Sequence, residues 1–382
     1  MTGTEAGALR AELIQRFRDA DSPLEDDAFN RLALRVFERN VATVPAYAAY
    51  CRTRDRVPGA VEHWRDIPAV PTAAFRELAL RSSDRRTERV FRTSGTTRGR
   101  ERRGEHHVAD LDLYRASLRS TFRRFLLPDG ARLPFLSLVP PAAAMPDSSL
   151  AFMISDVVEV FGAPGSAVFA DMEGIDFHAL GRAVERGSRE GPVLLLGTSA
   201  SFIHWVDRLA AEGRTLELPA GSRLMDTGGY KGAGREVEPA ALRALYRERL
   251  GLPDWACVNE YGMTELLSQR YDPTLRARLA ESGSRAWYAA GEEAGADAPR
   301  RKLGPPWLRS LAVDPETLDP LPGGERGILR HVDLANLDSV AAVQTEDAGR
   351  VDGDGLVLEG RLPGAPPRGC SLAMDLLLEG RP

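Results

Sequence analysis

From residue 90 to residue 260, short apolar runs alternate with longer amphipathic stretches, and that alternation leaves few folds open. Residues 133–139, 166–169, 192–197, 223–225 and 255–259 read as strands, with 149–160, 177–185, 201–211 and 239–250 as the helices between them. An earlier helix is marked by Leu111, Tyr114, Leu118, Phe122 and Phe125 at helical spacing. Strands separated by helices pair in parallel, so the expected core is α/β. Ligands in such sheets sit beyond the carboxyl ends of the strands. Three polar loops are expected there: 93–97 after Val90-Phe91, 227–232 after Leu224-Met225, and 260–265 after Ala256–Val258. The segment before residue 50 reads as helical, with Asp27 capping a face of Phe29, Leu32, Leu34, Val36 and Phe37 that ends at Val44-Pro45. Beyond residue 280 the character changes. Residues 292–305 are rich in Gly, Ala and Pro and read as irregular, and strand-like pieces follow at 327–332, 341–344 and 355–358. The expected organisation is an α/β core over 1–280, a β-rich part over 281–360, and a short tail over 361–382.

The first of the three loops, Thr93-Ser94-Gly95-Thr96-Thr97, has the make-up of an anion grip. Small residues let backbone N–H groups approach a phosphate, and the hydroxyls add donors. The common nucleotide-binding pattern G-x-x-x-x-G-K-[ST] does not occur. A formal net charge of −5 gives no case for nucleic acid as a partner, despite the local run Arg98-Gly99-Arg100-Glu101-Arg102-Arg103. Lys231 and Lys302 are the lysines of the chain, so lysine chemistry has two candidates. No basic-then-apolar leader is visible at the start, and no apolar run approaches a membrane span. The three cysteines, Cys51, Cys257 and Cys370, have no metal-ligand spacing. A reducing, cytoplasmic setting is the expectation.

Asn259-Glu260-Tyr261-Gly262-Met263-Thr264-Glu265 follows a strand and is expected to open a helix. An aromatic ring can stack on a purine, a hydroxyl can reach a phosphate, and a carboxylate can hold Mg²⁺. The same residues also suit a plain helix start, where Thr264 and Glu265 are favourable.

Together, Ser94-Gly95-Thr96-Thr97 and Tyr261-Gly262-Met263-Thr264-Glu265 resemble the phosphate loop and Y-G-x-T-E motif of the acyl-adenylate-forming superfamily. Asp226-Thr227-Gly228-Gly229-Tyr230-Lys231 is similar to its glycine pair beside the nucleotide, and Gln344-Thr345-Glu346-Asp347 to its T-G-D element. Glu359-Gly360-Arg361 resembles the G-R that opens its hinge. The resemblance implies ATP and Mg²⁺ as cofactors. It implies Ser94–Thr97, Gly228, Gly229, Tyr230, Asn259, Glu260, Gly262, Met263 and Thr264 around the nucleotide, and Tyr261 near the adenine. Asp347 with Arg361 would hold the ribose, and Glu265 the metal. The superfamily continues past its hinge into a mobile domain with a catalytic lysine. Here no lysine follows Lys302, and the phosphate loop continues Arg98-Gly99-Arg100 in place of G-x-P-K-G. CoA ligation by rotation of such a domain is therefore not expected, and Lys231 is the candidate replacement.

The tail Arg361–Leu372 resembles the C-terminal signature of the acyl-protein synthetases, the fatty-acid-activating subunits of bacterial luciferase aldehyde-forming complexes. That resemblance implies that Cys370 accepts the acyl group from acyl-AMP and passes it to a reductase. Chemically, Arg368 beside Cys370 favours the thiolate, and Gly369 with the nearby prolines suits a jointed tail. An inert cysteine next to Leu372, Leu376 and Leu377 is the other reading of the same residues. Cys51 and Cys257 are expected in the core. The activity implied is ATP-dependent activation of a carboxylic acid, a fatty acid by resemblance, and loading onto Cys370 for delivery to an acyl-accepting protein. Two alternatives remain open: a ligase that hands acyl-AMP directly to CoA or a carrier protein, and a non-catalytic nucleotide- or acyl-binding subunit. Pocket walls for the acid are expected between residues 135 and 205, where His204 either lines the pocket or is a core histidine. His106-His107 read as surface residues or as supports behind the site.

Overall fold

Burial along the strand Leu194–Thr198 shows how the centre is built. Leu194 and Leu196 enter one apolar core, and Leu195 enters another on the opposite face. The neighbouring strands Arg223–Thr227 and Cys257–Tyr261 repeat this: Met225 and Val258 enter the first core, Leu224 and Cys257 the second. Side chains alternate at period two along a strand, and a sheet covered on both faces needs apolar residues at every position. That is why these segments read as continuous apolar runs. Each fully buried leucine contributes about 1.5–3 kcal/mol. The structure, a computed structural model, describes residues 3–93, 103–228, 231–232, 235–282, 300–361, 374 and 377, with backbone alone at 187–190, 231–232, 235–236 and 282.

One twelve-stranded sheet runs in the order Leu308–Val313, Arg326–Asp333, Ala342–Asp352, Gly355–Arg361, Arg301–Leu303, Arg270–Tyr271, Cys257–Tyr261, Arg223–Thr227, Leu194–Thr198, Phe135–Ser137, Ala167–Val168. Val70–Pro71 adds a strand parallel to Ala342–Asp352. From Cys257–Tyr261 to Ala167–Val168 the pairing is parallel, as the alternation requires. Helices Phe177–Glu190, Ser199–Ala211 and Pro239–Leu250 pack on one face through Leu180, Phe202, Trp205, Leu242 and Tyr246. Helices Leu111–Leu126, Ser149–Phe161 and Thr274–Ser282 cover the other through Phe122, Phe125, Val157 and Leu275. Helix limits follow local chemistry. Thr198 and Ser201 form a capping box, Pro239 opens its helix, and Gly251 closes it at φ 66°.

Four expectations are corrected. Arg89–Arg92 joins no parallel sheet; it forms a two-stranded hairpin with Glu105–Val108, so the 93–97 segment leaves a hairpin strand. No helix opens after Tyr261. The chain turns and returns antiparallel as Arg270–Tyr271, because side chains take its backbone groups: Asp333 accepts from Leu267 N (3.0 Å), and Asn336 donates to Glu265 O (2.9 Å). The stretch read as irregular contains the strand Arg301–Leu303, which links the parallel and antiparallel halves. Asp27 is not a cap; helix Asp26–Thr43 follows Glu25 without a side-chain cap, and Pro45 starts the next helix.

Cys51 and Cys257 are buried, as expected. Among the described residues, no helix is long and apolar enough to cross a membrane.

Candidate active site

The strand Cys257–Tyr261 ends where the antiparallel half of the sheet begins, and three residues singled out in the sequence meet there. Tyr261 Oη donates to Asp347 Oδ2 at 2.8 Å. Asp347 pairs across the strands with Arg361, whose Nε lies 3.4 Å from Asp347 Oδ1. The Arg361 guanidinium is largely exposed, so it is free to turn toward a ligand while Asp347 stays fixed. Behind Tyr261, His331 Nε2 stands 3.2 Å from the phenol oxygen, and its Nδ1 stands 2.7 Å from Ser310 Oγ. Arg270 donates to the same serine at 2.7 Å. Burial, with Arg270 adding to it, pushes His331 down to about 3. His331 is therefore neutral and acts as a fixed dipole behind the tyrosine.

Glu265 lies close by and is buried. Burial raises its carboxyl to about 7, against the opposing pull of Arg361 and Arg76. A carboxylate short of positive charge in a dry site is a good donor for a divalent cation. Among the described residues, no cluster of three His, Cys, Asp or Glu could hold an ion alone. A single carboxylate suits Mg²⁺ that is bound mostly by the phosphates it accompanies.

Asn259 and Glu260 serve the strand beneath. Asn259 Nδ2 donates to Asp226 Oδ1 at 2.7 Å, and Lys302 Nζ donates to Asn259 Oδ1 at 2.6 Å. Glu260 is buried and accepts a hydrogen bond from Thr227 Oγ1. A Cβ at Gly262 would meet the Glu260 carboxylate, so a larger residue there would push that side chain aside. Gly228 leaves the neighbouring strand at φ 89° with open space around it, a conformation glycine adopts freely. Met263 packs on the first core, and Thr264 gives its carbonyl to His106 at 2.7 Å.

Burial lifts the Glu260 carboxyl to about 7. A raised carboxyl holds its proton in the native state after the unfolded chain has lost it. Its stabilising effect is complete below about pH 4.5 and disappears as pH rises through 7. Glu260→Gln should therefore gain stability relative to the parent between pH 5 and pH 8, by on the order of 2–3 kcal/mol. Urea unfolding of both proteins at the two pH values checks this; a pH-independent difference would contradict it.

Ser94, Gly95, Thr96, Thr97, Gly229, Tyr230 and Cys370 lie outside the described residues. Lys231 sits on the short strand Lys231–Gly232, paired with Arg235–Glu236, and its backbone alone is described. His204 is exposed on helix Ser199–Ala211, between buried Ile203 and Trp205, so it is not a core histidine. His106 is buried, contrary to a surface role, whereas His107 is half-buried with its Nε2 3.4 Å from Glu105. The alternation of Glu105 and His107 with His106 and Val108 was the available signal for that difference.

No protein-family model matches the chain. Over 89 residues it is 34% identical to the long-chain-fatty-acid–luciferin-component ligase of Aliivibrio fischeri, a match over 21% of this chain and 24% of that one. The chain thus spans about a quarter of that relative's length. Among solved structures, the ATP-bound MatB of Rhodopseudomonas palustris is 18% identical over 71% of this chain and 47% of its own, with a TM-score of 0.47. The open conformation of 2-hydroxyisobutyryl-CoA ligase, in complex with 2-HIB-AMP and CoA, is 15% identical over 92% of this chain and 79% of its own, with a TM-score of 0.60. Its postadenylation form with R3-HIB-AMP gives 16% identity, 90% and 69% coverage, and a TM-score of 0.58. The chain has the fold of the adenylate-forming ligases.

Proposed function

We propose that this chain is an ATP-dependent acid ligase that converts a carboxylic acid, a fatty acid by resemblance, into an acyl-adenylate and then loads the acyl group onto Cys370. The observation that carries the reading is the meeting of Tyr261, Asp347 and Arg361 beside buried Glu265, at the end of a parallel strand. In the first step the carboxylate oxygen of the acid bonds to the α-phosphorus of ATP, and the bond to pyrophosphate breaks. Asp347 accepts from the ribose hydroxyls, oriented by Tyr261, and Arg361 swings over the sugar and phosphate. Mg²⁺ at Glu265 would neutralise phosphate charge. Lys231, with the hydroxyls of Ser94, Thr96 and Thr97, is assigned to the phosphates. Positioning and charge stabilisation supply most of the acceleration in such transfers. In the second step the Cys370 sulfur bonds to the acyl carbon, the bond to AMP breaks, and the thiol proton leaves to solvent. The thioester keeps the acyl group activated for an accepting protein, a reductase or a carrier.

Intact-mass analysis after incubation with Mg·ATP and a panel of carboxylic acids tests both steps. The expected result is an acid-dependent mass increase that hydroxylamine removes and that Cys370→Ala lacks. ATP consumption without any adduct, unchanged in Cys370→Ala, would remove the second step and leave a ligase that passes acyl-AMP to an external acceptor.

A further inference from the structure

We propose that His106 is a positioning residue that locks the hairpin leading into the hydroxyl-rich segment to the loop bearing Thr264 and Glu265. The loop bearing Thr264 and Glu265 is then held in a fixed register with that hairpin. This rests on the adenylation reading above.

The hairpin has two anchors that face the same way, because Phe91 and His106 are a cross-strand pair. Phe91 is the apolar one, edge-on to Tyr114 at 5.7 Å and packed on Phe152 at 5.5 Å. His106 is the polar one. Its Nδ1 lies 2.7 Å from the Thr264 carbonyl, an acceptor, so Nδ1 carries the proton. Its Nε2 lies 3.0 Å from Ser339 Oγ and accepts the hydroxyl proton. One neutral tautomer satisfies both bonds, and Phe75, edge-on at 5.7 Å, closes off the ring.

Each end of that imidazole leads somewhere definite. On the hairpin side, Thr93 N donates to Gly104 O at 3.0 Å, and Gly104 N donates to Thr93 Oγ1 at 3.0 Å. These rungs carry the hairpin to both ends of segment 94–102. On the Ser339 side, the adjacent Asp338 accepts from Arg10 at 2.6 Å and Arg39 at 3.1 Å, which pins it to the N-terminal helices. Phenylalanine could fill the same volume. It could not hold the Thr264 carbonyl, so the buried imidazole fixes distance as well as occupying space.

His106→Phe and His106→Asn separate these roles, since the asparagine amide can occupy the Nδ1 position and keep the bond to Thr264. In ATP–pyrophosphate exchange, His106→Phe should raise the KM for ATP about 10-fold or more, the equivalent of one hydrogen bond, with the KM for the acid unchanged. His106→Asn should stay within about threefold of the parent. Amide hydrogen exchange gives a readout independent of activity. Residues 260–268 should exchange about 10-fold faster in the Phe variant and recover in the Asn variant, with strand Leu194–Thr198 unchanged in both. Unchanged exchange in the Phe variant, no recovery in the Asn variant, or equal acceleration in 194–198 would overturn the proposal. If the parent protein exchanges pyrophosphate with no acid, the adenylation reading fails, and amide exchange alone decides the role of His106.

Discussion

Lys302→Met is expected to destabilise the protein by about 3–5 kcal/mol, because it breaks a buried ion pair and strips two further acceptors of their donor. The ammonium group donates to Asn259 O at 3.1 Å, Asn259 Oδ1 at 2.6 Å and Asp272 Oδ1 at 2.9 Å, which uses all three of its protons. Its position follows from topology: the strand Arg301–Leu303 bridges the two halves of the sheet, and Lys302 is its buried central residue. Burial alone would raise the Asp272 carboxyl, but Lys302 and Arg300 outweigh it and hold that group below its ordinary value. Methionine replaces the aliphatic stem without the terminal nitrogen and leaves Asp272 with Arg300, at 3.2 Å, as its remaining cation. Denaturant unfolding measures the loss, and Asp272→Asn in the same background should recover part of it. A Lys302→Met protein as stable as the parent would mean that the network costs as much to desolvate as it returns. The same three bonds bear on the chemistry. Lys302 is committed to the scaffold, so the proposed reaction does not draw on it.

How much of this was legible depended on whether the deciding contacts were local. The helix Pro239–Leu250 was legible to the residue because its proline and the glycine after it are local punctuation. The parallel strands were legible because two cores demand apolar residues at every position. The hairpin was not: its second strand, Glu105–Val108, alternates polar and buried residues, and nothing in Val90-Phe91 says which partner it will choose. The turn after Tyr261 was also hidden. Thr264 and Glu265 read locally as a helix start, but Asp333 and Asn336, 66 and 71 residues from the backbone groups they bind, claim the backbone instead. Lys302 sat in a stretch whose Gly, Ala and Pro content spoke for irregular chain, and its value as a keystone depends on Asn259 in the strand Cys257–Tyr261 and Asp272 just after the strand Arg270–Tyr271. Tyr261, Asp347 and Arg361 were connected through family resemblance alone, since no periodicity joins residues 86 apart.

Asp347→Ala is expected to lower kcat/KM for ATP in pyrophosphate exchange by about 10²–10³-fold, carried mainly by the KM for ATP. A charge-assisted hydrogen bond to a carboxylate is worth roughly 1.5–3 kcal/mol, and two such bonds to a ribose reach that range. The local geometry favours a direct role. Asp347 is held from one side by Tyr261 at 2.8 Å and approached from the other by Arg361 at 3.4 Å, and the latter contact is long enough to yield to a ligand. Removing the carboxylate also frees the Tyr261 hydroxyl, which retains His331 Nε2 at 3.2 Å as a partner. The tyrosine should therefore stay in place, and stability should change little. The substrate side supplies the discriminating control. The parent should prefer ATP strongly over its 2′,3′-dideoxy analogue, and Asp347→Ala should lose most of that preference, because the missing hydroxyls then have no carboxylate to miss. A variant that keeps the full preference would move the ribose away from Asp347. The Tyr261–Asp347–Arg361 cluster would then be a support for the turn, and the nucleotide would have to be sought nearer to Gly228 and Thr264.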